Sequence, residues 1–269
     1  METTSSQLWQ RIIEEATAKL AEEPFALFLK ELILDRKDFC EALAAVLAAR
    51  LGHGLMDHKQ LFKVFKDELS CHPEVVEQAA CDLEAVYQRD PAVNLYLEAF
   101  LFFKGFLALQ THRIAHELWK HKRNFAALML QSLVSQQFDV DIHPAAKIGK
   151  AILMDHATNL VVGETAEIGD FVSILHGVTL GGTGKEKGDR HPKICDGVMI
   201  GAHAQLLGNI RIGKGAKIGA GAVVLSDVPP RTTVAGVPAT IIGAPLADMP
   251  ALEMQQDFTV DSRNQSNKG

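Results

Sequence analysis

The chain has 269 residues, 47% of them hydrophobic and 22% charged, and a mean hydropathy of +0.06. It can bury a full core, which excludes a disordered, collagen-like or membrane-spanning polypeptide. The formal net charge of −6 argues against nucleic-acid binding, and residues 136–245 carry ten Lys/Arg against ten Asp/Glu, so the excess lies in the flanks. The N-terminal METTSSQLWQ lacks a basic start and an apolar core. Apolar stretches such as 99–103 fall far short of the roughly 18 residues of a bilayer span. A cytoplasmic chain is expected, and Cys40, Cys71, Cys81 and Cys195, scattered without CxxC spacing, read as reduced structural thiols.

The first half, residues 1–137, reads as an all-α domain. Leu8, Ile12, Ile13, Ala16 and Leu20 repeat at helical spacing, and Pro24 opens a second apolar segment through Leu34. Asp38 and Glu41 form a capping box ahead of Leu43, Val46, Leu47 and Leu51, and Gly52 stands where that helix stops. Pro73 suits a first helical position; Val76, Ala80, Leu83 and Tyr87 share the face that follows, up to Arg89-Asp90-Pro91. Further helices are predicted over 95–121 and 124–135. His112 and His116, one turn apart, read as a solvated helix face. The job of this half is packing and oligomerisation.

The second half, residues 138–244, is a repeat. Aliphatic residues recur every six positions at Ile142, Ile148, Met154 and Leu160. After a two-residue phase shift the series runs through Val162, Ile168, Ile174 and Leu180, and then from Ile194 to Val224. Period six fits neither helix nor simple strand. It fits a parallel β-helix, in which each repeat buries its aliphatic residue only by stacking on copies above and below. Both Trp and both Tyr precede residue 120, in keeping with an interior of small stackable side chains. GGTGKEKGDRHPK, residues 181–193, leaves the repeat as an extruded loop, either a tolerated solvent-exposed insertion or a lid whose cations meet an anionic ligand. Residues 245–269, rich in Asp, Gln, Asn and Ser, are expected to be a flexible tail.

Charged groups inside such a coil need a reason. Asp141 and His156 are fifteen residues apart, and in a coil of about eighteen residues they can meet at one edge. Two readings of the pair stand. It is a surface histidine in an incidental ion pair, or a general base whose tautomer a carboxylate fixes. His176, inside the repeat, is a further candidate to line the same cleft.

The segments DIHPAAKIG (141–149), DHAT (155–158), VVGETAEIGD (161–170), VTLGGTG (178–184), GDRHPKI (188–194) and AGVPA (235–239), with RDPAV (89–93) ahead of them, are together similar to serine O-acetyltransferase. The match is close over about residues 70–243. It implies an α+β chain whose β-helix is left-handed, the exception to the usual crossover hand. It implies transfer of acetyl from acetyl-CoA to L-serine in cysteine biosynthesis, feedback inhibition by L-cysteine, and a homotrimer or dimer of trimers with no permanently bound cofactor and no metal.

On the same match His156 is the general base and Asp141 its orienting carboxylate. Asp90, Asp155, Arg190 and His191 hold the amino acid, a zwitterion that needs carboxylates at one end and a guanidinium fork at the other. Gly182, Thr183, Gly184, Ala202, Lys217, Gly219 and Ala220 hold acetyl-CoA, Lys217 through a phosphate. Where the family reads DHATG this chain has Asn159, a residue that tolerates left-handed backbone, so the turn is expected to survive. Relatives that bind O-acetylserine sulfhydrylase do so through a terminal isoleucine. This chain closes on Gly269, so weak or no binding is expected. Three other readings are an acetyltransferase of this fold with another hydroxyl acceptor, a γ-type carbonic anhydrase-like zinc enzyme drawing on His143, His156, His176 and His191, and a non-enzymatic scaffold.

Overall fold

The computed structural model describes residues 4–21, 26–53, 56–184 and 187–256. In α1 (Ser5–Ala18) the Thr4 hydroxyl accepts from Gln7 N–H and the Gln7 side chain accepts from Thr4 N–H, so the first turn is capped from both sides. The short α2 (Ala26–Leu29) runs on into a π-helical turn, Lys30–Leu34. Asp38 caps α3 (Phe39–Leu51), accepting from Glu41 N–H at 2.9 Å, as the sequence predicts. Next comes α4 (His58–Cys71), which the sequence reading passed over. Only Leu61, Phe65 and Leu69 are buried along its fourteen residues, too thin a stripe among the lysines to stand out. Pro73 starts α5 (Pro73–Arg89).

The helix predicted over 95–121 is two helices. The chain breaks at Phe103, between α6 (Tyr96–Phe102) and α7 (Lys104–Lys120), and α7 then runs hard against the second half. A Cβ on Gly105 would lie 2.1 Å from the Met154 carbonyl oxygen, so only glycine permits that approach. Because α7 is covered by α5, by the first coils of the prism and by α8 (Asn124–Phe138), the His112–His116 face is not solvated. His112 is 5% exposed, and His116 Nδ1 lies 2.7 Å from the Pro144 carbonyl.

From Val140 the chain coils as a three-faced prism of parallel strands. The first face stacks Val140–Ile142, Leu160–Val162, Thr179–Gly181, Gln205–Leu207 and Val223–Val224. The second stacks Lys147–Ile148, Glu167–Ile168, Lys193–Ile194 and Arg211–Ile212. The third runs from Leu153–Met154 through Ser173–Ile174, Met199–Ile200 and Lys217–Ile218 to Thr233–Ala235, closed by the antiparallel Thr240–Gly243. The period-six aliphatics form the inward ladders: Ile142, Val162, Leu180, Leu206 and Val224 are in register on the first face.

The three outward rows differ in exposure. On the third face Leu153, Ser173, Met199, Lys217 and Thr233 are all buried. Helices α5 and α7 cover one end of that row, and a C-terminal turn, α9 (Pro250–Glu253), covers Met199. The second face shows charges such as Lys147 and Glu167, paired at 3.0 Å. The first face shows Asp141, Val161, Thr179, Gln205 and Val223, half-buried to exposed. Part of the segment expected to be mobile is therefore docked. Ala251 is 0% exposed against Leu175 and Met199, and its carbonyl accepts from the Ser173 hydroxyl at 2.8 Å. Residues 257–269 lie outside the described residues.

The halves are joined by a buried ionic network. The Asp82 carboxylate on α5 accepts from Arg113 Nε and Nη2 at 2.9 and 2.7 Å, from Gln110 at 3.0 Å and from Ile152 N–H at 2.9 Å. Arg113 also donates to the carbonyls of Ile148 and Gly149 on the first coil. Arg113→Leu leaves the 0% exposed Asp82 carboxyl without its guanidinium partner, held by Gln110 and the Ile152 N–H alone. Breaking such a pair costs about 3–5 kcal/mol, so the variant is expected to unfold at markedly lower urea concentration than the parent. A midpoint within experimental error of the parent would show that the network contributes nothing.

Candidate active site

The first coil, from Ile142 to its register partner Val162, takes 20 residues, whereas the next, Val162 to Leu180, takes 18. The phase shift in the repeat is thus two extra residues in one turn, Asp155–Asn159, on the edge between the third and first faces. Three non-glycine residues there have left-handed backbone: His156 at φ 54°, Ala157 at 55° and Asn159 at 58°. Asn159 adopts the conformation expected of it. Such conformations are costly and persist only where the surroundings impose them.

Along the same edge stand His176 and His203. Their rings and that of His156 form a ladder, with centroids 5.9 Å apart for His156–His176 and 4.8 Å for His176–His203, each pair nearly perpendicular. His203 does not stand out in the sequence. The loop between them puts it 27 residues after His176, which hides the coil spacing, although His203 N–H donates to the His176 carbonyl at 2.9 Å. Ala202, Gly219 and Ala220 continue this edge, with Gly221 N–H donating to the Ala202 carbonyl at 2.8 Å.

Asp90, where α5 stops before Pro91, faces this turn. Asp90, Asp155, His156, Lys104, Glu253 and Met254 are among the residues lining a cavity of about 840 Å³. Burial pushes the Asp155 carboxyl above the usual carboxylate range; His156, whose Nε2 lies 3.8 Å away, pulls it down and Asp90 raises it again. Two carboxylates in one cavity form a site for a cationic group. The His156 side chain itself is 76% exposed in the single chain.

Asp141 and His156 do not meet within the chain. Asp141 is in register with Val161, five residues beyond His156. Its carboxylate accepts instead from Gln131 Nε2 at 2.6 Å. Among the described residues no hydrogen bond joins it to His156.

Arg190 and His191 occupy a different edge, between the first and second faces. Arg190 Nη2 donates to Glu164 Oε2 at 2.8 Å. His191 lies over Gly163, where a Cβ would come within 2.1 Å of its ring. Its Nδ1 accepts from Thr165 N–H at 3.1 Å, which leaves the proton of the neutral ring on Nε2. Burial, then the Arg190 cation, hold this imidazole below its usual range, so it is a neutral donor. Gly182, Thr183 and Gly184 lead into the loop beside Arg190. Lys217 does not suit the phosphate role: it is 5% exposed, in the covered row between Met199 and Thr233.

Residues 8–111 match the family model for the N-terminal part of serine acetyltransferase, and residues 191–226 match that for six bacterial transferase hexapeptide repeats. The serine acetyltransferase of Salmonella typhimurium is 52% identical over 252 residues, 93% of this chain and 92% of that one. A solved serine acetyltransferase in complex with cysteine is 50% identical with a TM-score of 0.91, covering 93% of this chain and 98% of that one. The Neisseria gonorrhoeae enzyme in complex with serine is 51% identical (TM-score 0.85; 87% and 96% covered), and the Brucella abortus enzyme in complex with coenzyme A is 49% identical (TM-score 0.86; 88% and 95% covered).

Because burial is the largest cause of the Asp155 shift and Asp90 adds to it, Asp90→Asn is expected to lower the Asp155 titration midpoint without restoring the usual value. Carboxyl-carbon NMR of aspartate-labelled protein measures it, and an unmoved midpoint would show that the two carboxylates do not share a field.

Proposed function

This chain belongs to the serine acetyltransferase family, and on that premise we propose that its acceptor site is shared between two copies of the chain. The protein is an acetyl-CoA-dependent transferase that acetylates the hydroxyl of L-serine to give O-acetylserine and CoA, a step of cysteine biosynthesis. Its prism is the left-handed β-helix of the hexapeptide repeat.

The observation that carries the shared site is the separation of the two poles. Asp90 and Asp155, with His156, stand on one edge, while Arg190 and the neutral donor His191 stand on another. A serine zwitterion needs both, its ammonium on the carboxylates and its carboxylate on the guanidinium fork. The first face supplies the surface for a second copy, since the third is covered and the second is charged. A trimer closed around that face sets one copy's Arg190 edge against the next copy's His156 edge. The exposure of His156 in the single chain supports the same reading.

In the assembled site His156 takes the proton from the serine hydroxyl as that oxygen attacks the acetyl carbonyl. The thioester C–S bond then breaks, and the CoA sulfur leaves with a proton returned by the imidazolium. Asp141 is assigned as the residue orienting His156 on the DIHP match alone, acting once copies assemble, because Gln131 holds its carboxylate in the single chain. Gly182, Thr183 and Gly184 on one edge and Ala202, Gly219 and Ala220 on the other are proposed to flank acetyl-CoA through backbone groups. No resident cofactor is needed. L-Cysteine, with sulfur in place of the hydroxyl oxygen, is proposed to compete in the same pocket. We place the enzyme in the cytoplasm; no helix of the described residues is long and apolar enough to cross a membrane. The tail on which the sulfhydrylase expectation rests lies outside the described residues, and no complex is proposed.

Free-thiol release from acetyl-CoA in the presence of single amino acids tests the activity, and serine is the acceptor expected to raise it. His156→Ala is expected to lower kcat by about 10²-fold to 10⁴-fold with little change in acetyl-CoA affinity, and Asp141→Asn by less; retained turnover in His156→Ala would remove it as the base. Arg190→Lys should raise the KM for serine and weaken cysteine, since an ammonium does not replace a bidentate fork. Mixed assembly tests the sharing. Copies carrying His156→Ala mixed with copies carrying Arg190→Ala should recover up to about a quarter of parental activity by random pairing, and no recovery would place the whole site in one chain.

A further inference from the structure

At the far end of the helical half, three metal-liganding side chains converge from two elements. His72 joins α4 to α5; Glu117 and His121 lie one turn apart at the end of α7. One donor atom from each lies within 4.8 Å of the other two. His72 Nδ1 is 3.7 Å from Glu117 Oε2, and the imidazole centroids are 5.3 Å apart. We infer that His72, Glu117 and His121 bind a transition-metal dication of the zinc type.

Donors about 2.0–2.1 Å from a tetrahedral zinc stand roughly 3.4 Å from one another, so the existing spacing needs to close by about an ångström. His72 is half-buried and His121 exposed, which leaves both rings room to turn. Glu117 gives an independent reason for a cation. Its side chain is only 9% exposed, and the ammonium hydrogen-bonded to it, from Lys120 at 2.8 and 2.9 Å, is itself 53% exposed. A solvated lysine on a nearly buried carboxylate is a weak counterion and is readily displaced by a dication.

The support around His121 also fits. Its Nδ1 lies 2.8 Å from the Glu117 carbonyl oxygen, and donation there leaves the Nε2 lone pair free, the usual arrangement for a metal-bound imidazole. Glu74, with Oε1 3.2 Å from His72 Nδ1, can orient that ring or complete the set. Two imidazoles with a carboxylate suit zinc, cobalt or nickel, whereas calcium and magnesium require oxygen donors. A bound ion would tie the α4–α5 corner to the end of α7. Sixteen residues of that helix, about 24 Å at 1.5 Å per residue, separate His121 from the Gly105 end that packs on the reacting turn, so the ion would stiffen the helical half without touching the acceptor pocket.

Titrating metal-free full-length protein with Co²⁺ and following its visible d–d absorption tests this. The parent is expected to take up one equivalent that Zn²⁺ displaces. His121→Ala and Glu117→Gln should each weaken that equivalent by more than the roughly 10-fold to 100-fold lost with an outer-shell partner, and Zn²⁺ should raise Tm in the parent but not in these variants. Circular dichroism confirms that they remain folded; His121 caps the end of its helix with an exposed ring. A parent that takes up no Co²⁺, or variants that bind it as tightly as the parent, would overturn the assignment.

Discussion

The Asp82 carboxylate, fully buried at the seam between helices and prism, is the constraint on which the arrangement of both halves depends. A carboxylate removed from water is tolerated only when its oxygens are fully engaged, and removing one partner costs more than the intact network contributes. Here the partners come from both sides: Gln110 and Arg113 from α7 and the Ile152 N–H from the first coil. Arg113 must reach Asp82 and the Ile148 and Gly149 carbonyls together, so α5 and α7 have one register against the prism. That register carries the end of α5, with Asp90, to the turn that holds Asp155. Arg89 repeats the device, donating to Ser173, whose hydroxyl holds the Ala251 carbonyl of the docked C-terminal turn. The cavity that holds Asp90 and Asp155 is therefore walled by three parts of the chain whose relative positions are all set by buried polar contacts.

The reacting turn departs from the regular coil in both length and backbone. Two additional residues and three left-handed non-glycine positions lift His156 off the ladder. Coils without the insertion also carry a histidine on that edge, His176 and His203, so the insertion changes the backbone of the turn rather than the residue type found there. The stacked coils above, through His176 and Gly177 N–H to the Thr158 carbonyl, hold the turn in that conformation.

How much of this the sequence discloses depends on how local the signal is. The hexapeptide ladder is legible because each repeat carries its own aliphatic residue, and the phase shift after Leu160 is visible too, but only the structure places the extra residues in the Asp155–Asn159 turn. Capping at Asp38 and the start at Pro73 are read from neighbouring residues alone. The break at Phe103 is not, since α6 and α7 are both good helical sequence and the reason for the break, the approach of Gly105 to Met154, is tertiary. The burial of His112 and of Lys217 is set by elements far away in sequence, and the docking of 250–254 rests on little more than Ala251 and Met254. Asp141 shows the limit most clearly. It lies opposite Val161, and even a coil of the regular 18 residues would set it opposite Asn159, so spacing alone does not bring it to His156.

Placing the poles of the acceptor site on different edges has an electrostatic consequence. Were Arg190 beside Asp155 in one chain, the two would form an ion pair and fill the pocket built for the zwitterion, and serine would have to compete with it. On separate edges neither pole can neutralise the other within a chain. Arg190 is held meanwhile by Glu164, a half-exposed pair with side chains 28% and 41% exposed. Pairs of that exposure are worth at most about 1 kcal/mol, so the guanidinium is kept oriented yet is easily released to a carboxylate ligand. Asp155, raised by burial and by Asp90, is the counterpart, a carboxyl whose charged form an ammonium ligand would favour. In the proposed assembly each copy would thus bring one pole to the shared site, and selectivity for an amino acid that carries both charges would arise where two copies meet.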